Sequence, residues 1–292
     1  MITAVIVAYR TAPADLIACC RSLRENNADS IIIVDNSPAG TLGGIAAQFR
    51  ARYLPLAMNS GFAAAANRGA HAAVRQKKPS ADDLLLFLNP DAALSPGALN
   101  AARNALRRWP QAAIAGLALH DEAGRLERRS LGPAVTPLTL LTRHIKNITW
   151  PGVTRLASPR RARSFLSKHA TGVSRGRDSG NVVCTAGWVS GGAMLVRTGV
   201  FRRLGGFDEQ FFLYWEDVDL CRRAYAAGYS VIYVPAARVH HRRGASSTDT
   251  VQKTRWYDES ADKYFRKQYA KPTWYTVRIA RRLYRHWQRH VV

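Results

Sequence analysis

Short apolar runs alternate with helical patterns along the first 120 residues, and this alternation restricts the fold more than any other feature. The runs 31–34 and 84–88 contain no polar residue, which is typical of strands buried on both faces. Between them lies an alanine-rich stretch that continues from Asn59 to about Gln76 with helical character. Because strands that alternate with helices form βαβ units, we predict a Rossmann-like α/β fold with a mainly parallel sheet flanked by helices.

Acidic residues stand where two of the predicted strands end. Asp35 directly follows the run 31–34, and Asp91 follows the run 84–88 after Asn89 and Pro90. In open parallel sheets, ligands bind outside the carboxyl ends of the strands. Carboxylate oxygens are also the ligands that divalent cations of the Mg²⁺ type prefer. The sequence therefore predicts that this edge of the sheet binds a ligand, with Asp35 and Asp91 as candidate contacts.

The second half of the chain begins irregularly and then regains its order. Residues 128–185 lack periodicity, whereas 188–196 is predicted as a strand and 229–234 as another, followed by a loop over 235–247. Glu216 and Asp217 open a predicted helix directly after the aromatic run 211–215. A carboxylate pair in such a place suits general base catalysis. The alternative is that both are ordinary acids of a first helical turn, which are common.

Positive charge is concentrated in two segments. The net charge is +23, residues 128–178 hold eleven Lys or Arg against one acid, and residues 251–292 hold eleven against three. Such charge attracts nucleic acid, anionic lipid or phosphorylated substrates. In the C-terminal segment, helical spacing predicts a helix with two faces. The basic face contains Arg278, Arg282, Arg285 and Arg289, and the apolar face contains Ala280, Leu283, Trp287 and Val291. A basic amphipathic helix suits an anionic membrane surface, and packing on the domain is the equal alternative.

Three features predict a cytoplasmic protein. No run of about 18 apolar residues occurs, so no transmembrane helix is expected. Met1 leads directly into a predicted strand, without the basic start and cleavage site of a secretory signal. The four cysteines lack zinc-type spacing, which fits free thiols in a reducing compartment.

Seven motifs in order complete the sequence evidence. They are Val34-Asp35-Asn36-Ser37, Asn59-x-Gly61-Phe62-Ala63-x-Ala65-x-Asn67-x-Gly69, Leu88-Asn89-Pro90-Asp91, Ser190-Gly191-Gly192-Ala193, Gly205-Gly206-Phe207-Asp208-Glu209-x-Phe211-Phe212, Trp215-Glu216-Asp217-Val218-Asp219-Leu220 and His241-x-x-Gly244-x-Ser246. Together they resemble family 2 glycosyltransferases of the GT-A fold, in particular the bacterial rhamnosyltransferase-like branch. The resemblance covers roughly residues 3–120 and 186–248.

This resemblance implies a domain organisation and a reaction. A GT-A domain would span residues 1–250 with a basic irregular insertion at 128–185, and a basic helical tail would span 251–292. The enzyme would be inverting and dependent on Mg²⁺ or Mn²⁺, with dTDP-rhamnose as the first donor and a UDP-hexose as the second. The acceptor would be a hydroxyl of a glycan or of a polyprenyl-diphosphate-linked glycan, which places the protein on the inner face of the bacterial cytoplasmic membrane. The oligomeric state is not indicated.

The same resemblance assigns roles to individual residues. Asp217 would be the catalytic base, with Glu216 as its alternative. Asp91 and His241 would hold the metal, and His240 is the second choice for the histidine. At position 89 this chain has Asn where the metal motif of the family has its first Asp. The expected contacts of the nucleotide-sugar are Asp35, Asn59, Gly61, Asn67, Asn89 and Asp91. The expected contacts of the sugar or the acceptor are Trp188, Gly191, Gly192, Tyr214 and Trp215.

Two other classes of function compete with this prediction. The positive charge would also suit a polyanion-binding protein on a Rossmann-like scaffold, although no nucleic-acid-binding module is recognisable in the sequence. That hypothesis gives no role to Asp35, Asp91 and Asp217, which would repel phosphate in the absence of a cation. A family member without catalytic activity is the third possibility, and the retention of Asp91, Asp217 and His241 opposes it.

Overall fold

The computed structural model describes residues 1–38, 40–74, 80, 82–127, 130–140, 182–242 and 250–291, with the backbone alone at 250, 284 and 286–291. The elements are, in order, β1 (Ile2–Ala8), α1 (Pro13–Glu25), β2 (Ser30–Asp35), α2 (Gly43–Gln48), β3 (Arg52–Pro55), α3 (Phe62–Val74), β4 (Leu84–Leu88), β5 (Ala92–Leu94), α4 (Ala98–Arg108), β6 (Ala112–His120), β7 (Leu131–Gly132), β8 (Cys184–Thr185), β9 (Trp188–Val189), β10 (Ala193–Arg197), α5 (Thr198–Arg203), α6 (Glu216–Ala226), β11 (Ser230–His241), α7 (Thr250–Gln268) and α8 (Lys271–Val291). The predicted alternation of strands and helices is therefore confirmed.

A nine-stranded sheet forms the body of the protein. Its strand order is β3-β2-β1-β4-β10-β6-β11-β5, and β8 pairs with β11 outside this path. Strands β3, β2, β1 and β4 are mutually parallel, and β6 is parallel to β11. Strand β10 runs antiparallel between β4 and β6, so β6 and β11 point in the same direction as β4. The mainly parallel α/β sheet predicted from the sequence is confirmed, with β10 as an antiparallel member at its centre.

Helices cover both faces of the sheet. In β2, Ile31 and Ile33 face one apolar cluster, together with residues of α1, α2 and α4. Ile32 and Val34 face the other cluster, which includes residues of α3, α5 and α6. All four side chains are at most 2% exposed. The uninterrupted apolar run of this strand is thus explained, because side chains on both of its faces are buried.

Two strand predictions near the site are wrong. The strand predicted over 188–196 is divided into β9 and β10, because the chain turns at 190–192 and β9 pairs with β7 rather than with the large sheet. The loop predicted over 235–247 is strand as far as His241, since β11 continues past a register shift between Val234 and Arg238. Its last residues pair with the three-residue strand β5, which the sequence pattern did not reveal.

The C-terminal segment consists of two helices, and α7 packs on the domain. Ala261, Tyr264 and Phe265 of α7 form a third buried cluster with Phe211, Trp215 and Val218, and Val277 of α8 joins it. The boundary expected at residue 250 therefore precedes a helix that contributes to the interior. Of the predicted insertion 128–185, residues 128–129 and 141–181 lie outside the described residues. Among the described residues no helix is both long and apolar enough to span a bilayer.

The face of α8 that the sequence predicts as basic is divided in the structure. Arg278 lies 3.8 Å from Asp262 of α7, Arg281 lies 2.9 Å from Asp258, and Arg285 also contacts Asp258. Arg282 is exposed, and Leu283 of the predicted apolar face is 65% exposed. The carboxylates of α7 attract Arg278, Arg281 and Arg285 inward, a contact that the spacing of α8 alone does not reveal. The side chains of Trp287, Arg289 and Val291 lie outside the described residues.

Candidate active site

The predicted site residues converge on one edge of the sheet. Asp35 ends β2, Asn89 and Asp91 follow β4, and His241 ends β11. Because β2, β4 and β11 point in the same direction, their carboxyl ends lie at the same edge. The acid pair at the start of α6 is connected to this edge through the turn at 190–192, as described below.

Asp91 and His241 form the centre of the site. Asp91 Oδ1 lies 3.2 Å from His241 Nε2, and Asn89 Nδ2 lies 3.2 Å from the same nitrogen. His240 is exposed, and successive side chains of a strand point to opposite sides. The structure thus pairs Asp91 with His241 rather than with His240.

The other ring nitrogen of His241 contacts a carboxylate that the sequence analysis missed. Glu127 Oε1 lies 2.8 Å from His241 Nδ1, and Glu127 is 8% exposed. Burial opposes a charge on the imidazole, but the hydrogen bonds to Asp91 and Glu127 outweigh it and raise the pKa of His241 to about 9. Glu127 directly precedes the segment that lacks periodicity, so no motif marked it.

The chemistry of this pair fits a divalent cation. Asp91 offers a carboxylate oxygen and His241 an imidazole nitrogen, and Mn²⁺ in particular accepts both types of ligand. Within the ranges that the structure describes, no group of three or more His, Cys, Asp or Glu side chains is arranged to hold a metal. The protein would therefore supply two ligands, and phosphate oxygens or water would supply the others.

Asp35 is fully buried, and both of its carboxylate oxygens accept hydrogen bonds. Oδ1 accepts one from the backbone N–H of Ser37 at 3.1 Å, and Oδ2 accepts one from the Tyr53 hydroxyl at 2.8 Å. Burial and the bond to Asp35 raise the pKa of Tyr53. Tyr53 was not predicted, although it lies on β3, the parallel neighbour of β2. Asp35 therefore holds the hydroxyl of Tyr53 in place. A contact between Asp35 and a nucleotide remains a prediction.

Asn36 organises the loop that carries Asn59 and Gly61, and it too was missed. Its Nδ2 donates to Asn59 Oδ1 at 2.9 Å and to the Gly61 carbonyl at 3.2 Å. Its Oδ1 accepts the backbone N–H of Ser60 at 2.9 Å. Asn59 Oδ1 also accepts the backbone N–H of Gly61 at 3.0 Å. The predicted nucleotide loop is thus held to the end of β2 by side-chain amides.

Gly61 is required by a close approach of two backbones. The backbone N–H of Phe62 donates to the Phe212 carbonyl at 2.7 Å, and a Cβ on Gly61 would overlap this carbonyl. Gly61 also has a φ of +81°, in the region that favours glycine. The resemblance implies that Gly61 contacts the nucleotide-sugar, and the structure shows that Gly61 also admits the aromatic run 211–215.

Replacing Gly61 with alanine should lower the free energy of unfolding by about 2–4 kcal/mol, because a left-handed backbone and an overpacked contact both become unfavourable. Chemical denaturation measures this change. Gly44→Ala is the matched control, since an added Cβ there meets no atom within 4 Å and Gly44 lies in α2. The control should be neutral or slightly stabilising. Equal stability of the two variants would contradict the explanation of Gly61.

The acid pair at the start of α6 is divided between two environments. Asp217 is half-buried; its Oδ2 accepts the backbone N–H of Gly191 at 3.0 Å and its Oδ1 accepts that of Val218 at 2.8 Å. Glu216 is 5% exposed, and its Oε2 has no hydrogen-bond partner among the described residues. Burial raises the pKa of Asp217, and burial together with the Asp217 carboxylate raises the pKa of Glu216 well above its usual range. Asp217 is thus the better placed of the two acids to act as a base.

The residues before the acid pair have a strained backbone. Tyr214 and Trp215 have φ values of +68° and +71°, which bulky side chains rarely adopt. Trp215 is buried against Tyr257, Tyr264 and Phe265 of α7, and Tyr214 contacts the Tyr257 ring. Trp215 is therefore a core residue. The packing of α7 holds the turn that orients Glu216 and Asp217.

The turn at 190–192 joins the two parts of the site. Gly191 donates its backbone N–H to Asp217, and the Gly192 carbonyl accepts the backbone N–H of Asn89 at 2.9 Å. Asn89 in turn contacts His241. An unbroken series of contacts therefore connects Asp217 with the Asp91–His241 pair. Trp188, which precedes this turn, packs against both the second and the third apolar clusters.

Asn67, a predicted nucleotide contact, is committed to hydrogen bonds within the protein. It is 6% exposed, and its Nδ2 donates to the Phe207 carbonyl at 2.8 Å and to Glu209 Oε1 at 2.9 Å. Its Oδ1 accepts the backbone N–H of Phe207 at 2.9 Å. Asn67 thus anchors the turn at 205–209, and both of its amide hydrogens are committed there.

The fold is of the GT-A class, and in this chain acids stand at the strand ends and an acid pair stands at the start of a neighbouring helix. Two solved structures share the fold. The crystal structure of GalNAc-T7 with UDP, GalNAc and Mn²⁺ superposes with a TM-score of 0.58 at 14% identity over 91% of this chain, which spans about half of that protein (49%). The mannosyltransferase PcManGT from Pyrobaculum calidifontis, in complex with GDP-Man and Mn²⁺, gives 0.54 at 14% identity over 96% of this chain and 68% of the other.

The sequence identifies the family. Residues 2–259 match the family described as "Glycosyltransferase like family 2", and the chain belongs to this family. It is 31% identical to the N-acetylglucosaminyl-diphospho-decaprenol L-rhamnosyltransferase of Mycobacterium tuberculosis over 236 residues, which are 77% of this chain and 70% of the relative. The resemblance to the rhamnosyltransferase-like branch is thereby confirmed.

Proposed function

We propose that the chain transfers rhamnose from dTDP-rhamnose to a hydroxyl of a polyprenyl-diphosphate-linked glycan, for cell-surface polysaccharide synthesis. The observation that carries this proposal is the series of contacts that joins Asp217, through Gly191 and Gly192, to Asn89 and the Asp91–His241 pair. A base and a cation-binding pair are what sugar transfer from a nucleotide requires. The name of the mycobacterial relative supports this sugar and this type of acceptor. A UDP-hexose is the alternative donor.

In the proposed reaction, Asp217 takes the proton of the acceptor hydroxyl. The hydroxyl oxygen forms a bond to the anomeric carbon while the bond between that carbon and the diphosphate breaks, with inversion. Burial raises the pKa of Asp217 and makes it a stronger base than an ordinary aspartate. The N–H of Gly191 fixes its orientation. Asp91 and His241 would hold Mg²⁺ or Mn²⁺, which when bound supplies counter-charge to the leaving diphosphate.

The first test is turnover and binding of nucleotide-sugars by the purified protein. dTDP-rhamnose, UDP-galactose, UDP-glucose and GDP-mannose are compared with Mg²⁺ or Mn²⁺. We expect metal-dependent turnover of dTDP-rhamnose and a loss of about 100-fold or more in Asp91→Ala, since the counter-charge is worth several kcal/mol. Asp82→Ala is the matched control, because Asp82 is an exposed aspartate at the other end of β4 and should leave turnover unchanged.

The outcomes separate the competing functions. Turnover of a UDP-hexose alone would replace the donor and retain the transferase. Binding of no nucleotide-sugar, together with tight and salt-sensitive binding of nucleic acid, would overturn the proposal in favour of a polyanion-binding protein. Donor binding without turnover, unchanged in Asp217→Asn, would indicate a family member without catalytic activity.

The outer face of α8 is the surface that we assign to an anionic membrane. Tyr275, Ile279 and Leu283 recur every fourth residue and are 50%, 57% and 65% exposed. Arg282, beside them, is also exposed, and α8 contains no acidic residue. Asp258 and Asp262 of α7 pair with the inward arginines, whereas the charge of Arg282 borders the exposed apolar residues. Apolar side chains with adjacent cations are the composition of an interfacial helix. A lipid-linked acceptor would be reached from such a surface.

Vesicle co-sedimentation tests this assignment. We expect binding to vesicles rich in phosphatidylglycerol, weaker binding to phosphatidylcholine, and a loss of about tenfold or more in the variant Ile279→Asp/Leu283→Asp, since two apolar anchors leave the bilayer and two negative charges are added. Leu138→Asp is the control, because Leu138 is 69% exposed and lies outside α8. Equal binding of the double variant and the control would refute the assignment.

A further inference from the structure

We infer that Glu127 is a positioning residue that fixes the ring of His241, so that Nε2 faces the side of Asp91, where a cation would bind. This inference rests on the proposed metal site and adds a residue that belongs to none of the seven motifs. Glu127 contacts the imidazole on the side away from Asp91: its Oε1 faces Nδ1, whereas Asp91 faces Nε2. The role is therefore to orient the ligand rather than to be one.

The contacts of His241 fix the orientation of its ring. A carboxylate can only accept, and Glu127 Oε1 lies 2.8 Å from Nδ1, so Nδ1 carries a hydrogen that it donates to Glu127. Nε2 faces the other carboxylate, Asp91 Oδ1, at 3.2 Å. A cation held by Asp91 and His241 would take the place of the hydrogen on Nε2, and the bond from Nδ1 to Glu127 would be kept.

Glu127 is built into the structure firmly enough for this role. Its side chain is 6% exposed, its backbone N–H donates to the Leu119 carbonyl at 2.9 Å, and its own carbonyl accepts the backbone N–H of Ser130 at 3.2 Å. The backbone of Glu127 is therefore held to β6 on one side and to Ser130, the residue before β7, on the other. A buried carboxylate behind a metal-binding histidine fixes its ring and its tautomer.

The test compares Glu127→Ala and Glu127→Gln with Glu25→Ala in the full chain. Mn²⁺ is titrated in the presence of dTDP and followed by electron paramagnetic resonance. We expect the dissociation constant of Mn²⁺ to rise about 10- to 100-fold in Glu127→Ala and less in Glu127→Gln, whose amide oxygen still accepts from Nδ1. Glu25 is an exposed carboxylate at the last residue of α1, and its removal should leave the constant unchanged.

A second measurement is independent of affinity. In the Mg²⁺–dTDP form, nitrogen NMR of His241, assigned with His241→Gln, should show a single Nδ1–H tautomer in the wild type. In Glu127→Gln the signal of this Nδ1–H should shift, because a neutral amide oxygen is a weaker acceptor than a carboxylate. Wild-type Mn²⁺ affinity together with an unchanged Nδ1–H signal in Glu127→Gln would overturn the inference, even if Glu127→Ala did not fold. Failure of the wild type to bind Mn²⁺ with dTDP would instead overturn the metal site of the proposed function.

Discussion

Replacing Asp217 with asparagine should lower kcat by about 10²- to 10⁴-fold and leave the dissociation constant of the donor nearly unchanged, because a general base contributes about that much and acts on the acceptor. Asparagine keeps the shape of the side chain and can still accept the N–H of Gly191 through its oxygen. The loss therefore reports the missing proton acceptor rather than a moved turn. Steady-state kinetics and equilibrium binding of the same donor measure the two quantities separately.

The pH dependence of the wild-type enzyme provides a further expectation from the same residue. Asp217 must be deprotonated to act, and its pKa is raised by burial. The acidic limb of kcat/KM should therefore lie above the ordinary range of an aspartate, with activity rising as the pH rises through that raised pKa. Glu216→Gln should retain much more activity than Asp217→Asn, since Glu216 is buried and its pKa lies well above the usual range. The reverse order of the two variants would make Glu216 the base.

Replacing Phe265 with alanine should lower the free energy of unfolding by about 3–5 kcal/mol, the usual loss for a fully buried phenylalanine. Phe265 is completely buried, and its ring contacts those of Trp215, Tyr264 and Tyr269. Because Trp215 has a strained backbone, loss of this support should also lower kcat, even where the variant remains folded. Thermal unfolding and kinetics below the transition test the two effects.

Val251→Ala is the matched control for this experiment, because it also truncates an apolar side chain of α7 but at a position that is 74% exposed. The control should change the free energy of unfolding by less than about 0.5 kcal/mol. A similarly small change in Phe265→Ala would mean that α7 is an appendage, as the boundary at residue 250 implied. A large change places α7 within the catalytic domain.

The sequence predicted those features that depend on local pattern and on strand ends. The alternation of apolar runs and helices identified the sheet, and the positions of Asp35 and Asp91 at strand ends identified the edge where they lie. Glu127, Tyr53 and Asn36 could not be found in this way, because each acts through a partner that is distant in sequence. The inward position of Arg278 and Arg285 in α8 was missed for the same reason, since they contact carboxylates of another helix.

Gly61 and Asn67 show a second limit of sequence patterns. Both belong to a motif that resembles a nucleotide loop, yet Gly61 makes room for the Phe212 carbonyl and Asn67 holds the turn at 205–209. A motif can show that a position requires a particular residue type without showing which contact requires it. At Gly61 and Asn67, the residue type is required in large part by the packing of one segment of the chain on another.

The backbone contact between Phe62 and Phe212 has a consequence for the engineering of donor preference. The loop 59–62 and the aromatic run 211–215 share this hydrogen bond, and the run leads directly into the acid pair. A loop transplanted from a relative with another sugar would therefore shift the base together with the pocket. Chimaeras that exchange both segments as a cassette, and keep the pairing of Gly61 with Phe212, should preserve turnover where single-loop exchanges lose it.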